Sequence, residues 1–96
     1  MKNFIYKFEF FSGFYENYFY NQVKALNEKE AIIEIVSGFR NISNHKANRY
    51  IGRNLGFNWT VEKFWKDMDL KIFSEGEMEG YNLIFLKEVN FDLDEI

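Results

Sequence analysis

The chain has 96 residues, which is too short for more than one domain and long enough for one modest core. Hydrophobic residues make up 47% of it and aromatics 21%, twelve of them phenylalanine, which excludes a disordered chain. There is no cysteine, so disulfides, thiolate metal sites and cysteine nucleophiles are excluded, and a net charge of −3 argues against a protein that binds nucleic acid over its whole surface.

In chain order, residues 3–11 alternate Phe4, Tyr6, Phe8 and Phe10 with Asn3, Ile5, Lys7 and Glu9, the period of a strand. Ser12-Gly13 opens a turn, and residues 18–26 read as a second strand with Phe19, Val23 and Ala25 on one face. The pair is expected to form a β-hairpin with a loop of about six residues. Asn27 followed by Glu30 is a capping-box start, and Ala31, Ile32, Ile35, Val36 and Phe39 mark a helix ending near Arg40. A second helix is predicted over 44–55, with Ala47, Tyr50, Ile51 and Leu55 on its apolar side, Gly52 inside it and Gly56 as its stop. Thr60 caps a third through Val61, Phe64, Trp65 and Met68. Strands are expected over 70–74 and 81–89. In the latter, Tyr81, Leu83, Phe85, Lys87 and Val89 alternate with Asn82, Ile84, Leu86 and Glu88, and apolar residues on both faces suit a central strand. Residues 91–96 read as a loosely tied acidic tail. The expected fold class is α+β: an N-terminal hairpin, two to three helices and a C-terminal strand pair, with the helices on one face of an antiparallel or mixed sheet.

No stretch approaches the length of a membrane span, and the N-terminus breaks its apolar run with charges, so the sequence predicts a cytoplasmic protein without a membrane partner. More than half the residues are Phe, Tyr, Met, Ile, Asn or Lys, whose AT-rich codons suggest an AT-rich bacterium or a phage or mobile element living in one.

Three features are candidates for function. All three arginines fall within residues 40–53, and Lys46, Arg49 and Arg53 share a helix face at i, i+3 and i+7, with His45 at its edge. That row could neutralise phosphates or meet an acidic protein surface; a solvated face, answered by the acidic tail, is the bland alternative. Second, Glu75, Glu77 and Glu79 alternate along an extended segment, a carboxylate row on another protein's nucleic-acid channel or a solvated loop. Third, Phe14, Tyr15, Tyr18 and Tyr20 crowd the hairpin and cannot all be buried on one face, so they are candidate partner contacts unless a further element or a homodimer covers them.

The case for an enzyme is thin. No nucleophile motif or phosphate-cradling glycine loop occurs, and Asp92, Asp94 and Glu95 do not make a calcium loop. No metal, cofactor or catalytic residue is assigned. The best catalytic set is His45, Arg49, Tyr50 and Arg53, which could serve a small metal-free ribonuclease, although Tyr50 reads as core.

The aromatic hairpin running into Val23-Lys24-Ala25-Leu26-Asn27-Glu28-Lys29-Glu30-Ala31-Ile32 looks like many small α+β proteins of bacteria and phages. In size, acidity and composition the chain resembles anti-CRISPR proteins. The resemblance implies a compact, non-enzymatic protein that occupies a surface on a CRISPR effector. The leading expectation is therefore a protein-binding inhibitor or accessory factor, followed by a nucleic-acid-binding module using the basic helix, and then a ribonuclease toxin.

Overall fold

The computed structural model describes residues 1–67 and 79–95. Strand β1 (Lys2–Ser12) pairs antiparallel with β2 (Tyr15–Ala25). Helices α1 (Glu28–Arg40), α2 (Asn44–Leu55) and α3 (Val61–Asp67) follow, and β3 (Glu79–Val89) returns to pair antiparallel with β1. The described strands run β2-β1-β3, an α+β fold with helices on one face of the sheet. The strand expected over 70–74 lies outside the described residues, as do Glu75, Glu77 and Met68.

The hairpin differs from expectation in its turn. Ser12 pairs with Tyr15, leaving only Gly13-Phe14 between the strands, so β2 begins three residues earlier than the sequence pattern suggests. The cause is Gly13, whose φ of +59° at the first central position is what a type II′ turn requires. A six-residue loop is unnecessary once glycine supplies that conformation.

Phe4, Tyr6 and Phe8 of β1 point inward and are buried against α1 and α2. Phe8 stacks on Phe39 of α1 with ring centroids 3.9 Å apart and on Phe19 of β2 at 5.7 Å, which clamps helix to hairpin. Strict alternation across 81–89 does not hold. Lys7 pairs with Phe85 and Phe8 with Leu83, so Ile84 is the extra residue of a bulge. The bulge lets Leu83 and Leu86 both face the core, opposite Phe8 and Tyr6, and leaves Ile84 exposed.

All three helix starts follow the sequence. The Asn27 side chain accepts from the Glu30 amide at 2.9 Å, Ser43 from Lys46 at 3.2 Å, and Thr60 from Lys63 at 3.1 Å. Asn41 ends α1 in the left-handed region, and the short connection to Ser43 folds α2 back against α1. Trp59, in the loop after α2, is the hub of the helical layer. Its indole donates to Asn48 at 3.0 Å, its carbonyl accepts from Lys29 Nζ at 2.8 Å, and its ring lies 6.1 Å from that of Phe64.

Candidate functional site: the cationic groove of α2

The sequence of α2 buries Ala47, Ile51 and Gly52 against the core and turns the opposite stripe outward. Lys46, Arg49, Tyr50 and Arg53, together with Ile42 just before the helix, line one groove of about 260 Å³. The three cations predicted to share a face therefore do so, and all three are exposed. Among the described residues no acidic group lies within ion-pair distance of them; the described pairs are Lys2–Glu88, Lys24–Asp92 and Lys63–Asp67.

Tyr50 departs from its expected place. It is half-buried, packed against the edge of the core, and at the same time lines the groove. At about 100° per residue it sits only about 40° from Lys46 around the helix, so a helical wheel shows the placement that a reading of apolar residues as one set hides. Arg40, in the last turn of α1, stacks on the Tyr50 ring with its guanidinium carbon 4.4 Å from the centroid and holds the ring in position. Arg40 and Ile42 were both missed as site residues because their contribution depends on how α1 and α2 pack.

The charge pattern of α2 contrasts with that of α1. Helix α1 has Glu28 and Glu30 in its first turn and Arg40 in its last, which complements the helix dipole at both ends. Helix α2 has no acid in its first turn and carries Lys46 there, at the end where the dipole is already positive. That placement opposes the dipole by a few tenths of a kcal/mol.

No family model, curated protein or solved structure matches this chain.

His45 is exposed and is not among the groove residues, so the structure does not gather His45, Arg49, Tyr50 and Arg53 into one pocket. The aromatic residues lie elsewhere. Phe14 is at the turn tip, with Tyr15 beside it, and Tyr18 and Tyr20 are 49% and 60% exposed on the sheet face away from the helices. Lys7, opposite Tyr20, places its ammonium 4.7 Å from the Tyr18 centroid and 5.6 Å from that of Tyr20. Of the three glutamates, Glu79 begins β3 and the other two fall outside the described residues.

The described part of the acidic tail docks on the hairpin, and among the described residues it makes no ion pair with the basic helix. Asp92 is buried to 8% exposure against the outer side of β2, where Lys24 and Gln22 hold its carboxylate at 2.8 and 3.0 Å. Gln22 in turn accepts from the Leu93 amide at 2.7 Å, and Leu93–Glu95 forms one 3-10 turn. Among the described helices none is long and apolar enough to cross a membrane.

Proposed function

We propose that this chain is a non-enzymatic binding protein that docks an acidic surface of a protein partner in the α2 groove and acts by occupying that surface. The observation that carries this reading is the row of three cations in one groove, unmatched by any acid among the described residues. Unmatched charge at the rim of an interface steers encounter and sets specificity. The overall charge of −3 favours a protein partner over a nucleic acid, whose dense negative field the rest of the molecule repels. The outer hairpin face, with Tyr18 and Tyr20 around Lys7, supplies a second contact surface in this reading. Likeness in size and composition to anti-CRISPR proteins points to the same mode of action, occlusion, and makes a CRISPR effector a partner to try.

Fluorescence anisotropy with a labelled glutamate-rich peptide, single-stranded RNA and duplex DNA, at about 50 and about 200 mM salt, tests the reading. The peptide is expected to bind at low salt, to weaken at high salt, and to be lost on Arg49→Glu/Arg53→Glu. Nucleic acid binding more tightly than the peptide, with the same dependence on both arginines, would replace the protein partner by a phosphate backbone.

A further inference from the structure

We infer that the occupant of the α2 groove is an acidic amphipathic helix, with carboxylates at i, i+3 and i+7 and an apolar residue between them resting on Tyr50 and Ile42. This rests on the docking reading and narrows it from an acidic surface to one kind of segment.

Spacing is the first argument. Lys46, Arg49 and Arg53 climb two turns of α2, about 10.5 Å at 1.5 Å per residue. A partner helix repeats with the same rise, so its carboxylates at i, i+3 and i+7 meet the cations one for one. An extended strand places same-face side chains about 6.8 Å apart, so three of them span about 13.6 Å and drift out of register.

The floor of the groove is the second. Tyr50 and Ile42 are half-buried, and Arg40 stacks on the Tyr50 ring. A bare polyanion has no use for an apolar floor between its contacts, whereas an amphipathic helix carries an apolar anchor beside its charges. The volume of about 260 Å³ is below the roughly 300–1,000 Å³ of small-molecule pockets and suits one or two side chains laid in from outside.

The test uses three labelled helical peptides of one length. The first has Glu at i, i+3 and i+7 with Leu at i+4. The second has the same composition with the glutamates spread around the helix, and the third has Gln for Glu. Single-stranded RNA is a fourth probe. The first peptide should bind about tenfold more tightly than the second at low salt, and the third should not bind. Arg49→Glu/Arg53→Glu should abolish binding, Arg49→Gln/Arg53→Gln should weaken it, and Tyr50→Ala should weaken the first peptide several-fold by removing the surface its leucine rests on. Circular dichroism melts of each variant establish that it is folded. Equal binding of the first two peptides would overturn the helix inference and leave the docking reading standing. Binding of RNA but of no peptide would overturn both. Failure of every probe at low salt would overturn the groove as an anion-docking surface altogether.

Discussion

Lys24 of the hairpin and Asp92 near the C-terminus meet at 2.8 Å on the outer side of β2, and this contact ties the tail across the sheet. The Lys24 hydrogen bond, followed by the Asp94 amide and Gln22, lowers the Asp92 carboxyl from 3.8 to about 2. A carboxyl whose folded pKa is depressed stabilises the folded state above its unfolded value, and that contribution fades as pH falls toward the folded value. The tail contact is therefore complete above about pH 5 and is lost as pH falls toward about 2. Carbon-detected NMR titration of the Asp92 carboxyl checks this, and a midpoint near the ordinary value would refute it. At neutral pH, Asp92→Ala should speed hydrogen exchange at the Leu93 amide, whose acceptor Gln22 loses its own anchor.

Strand β2 is an edge among the described strands, and it guards that edge with its own side chains. From the pairing of Ser12 with Tyr15, the amides of residues 16, 18, 20, 22 and 24 face away from β1. Asn17 accepts from the Tyr18 amide at 2.9 Å and Asn21 from the Gln22 amide at 2.8 Å, so two of these donors are not offered to another chain. Asn17→Val removes one cap and raises strand propensity, and self-association is expected to rise with concentration in light-scattering chromatography. Asn21 lies directly across from the buried Tyr6 in the strand pairing, which makes Asn17 the cleaner site. A variant that stays monomeric wherever the parent does would show that the caps do not protect the edge.

Elements whose signal is local were legible in the sequence. The side chains of Asn27, Ser43 and Thr60 each cap the helix that follows, and α2 has the bounds its periodicity predicts. What was hidden depends on pairing or packing. The bulge at Ile84 arises because β3 must match β1 on both sides of Lys7, which no pattern within 81–89 states. The docking of Asp92 needs Gln22 and Lys24, which the hairpin alone brings to one place. The cationic row was visible as spacing, whereas the Tyr50 floor needed Arg40 from the neighbouring helix to complete it.

Gly52 looks like a flaw in α2 and is instead a packing requirement. A Cβ there would come 2.7 Å from Cδ1 of Phe57 and 3.1 Å from Cε1, so the chain folding back after Gly56 uses the space that glycine leaves. Alanine would gain about 1 kcal/mol of helix propensity, which offsets part of the displacement of Phe57. Gly52→Val recovers only a few tenths of a kcal/mol of helix propensity and adds two further methyl groups, and it should destabilise by about 1–3 kcal/mol in urea unfolding. A neutral result would mean that Phe57 swings away freely and that the close approach is incidental.

Trp59 joins all three helices, and its truncation should be the most damaging single change outside the sheet. Its ring is 2% exposed, and its contacts reach Lys29 on α1, Asn48 on α2 and Phe64 on α3. Trp59→Ala removes that packing and should cost about 3–5 kcal/mol, a large share of the roughly 5–15 kcal/mol of a typical domain. Trp59→Phe keeps most of the apolar volume and loses the indole donor to the exposed Asn48, so about 1 kcal/mol is expected. Lys29→Ala tests the remaining part: its ammonium lies 4.6 Å from the ring centroid and donates to the Trp59 carbonyl at 2.8 Å. Denaturant melts of Lys29→Ala, Trp59→Phe and the double variant form a cycle. A coupling of about 0.5–1 kcal/mol is expected if the ammonium depends on the indole face, because phenylalanine attracts a cation less strongly. Strict additivity would assign the Lys29 contribution to its hydrogen bond with the backbone alone.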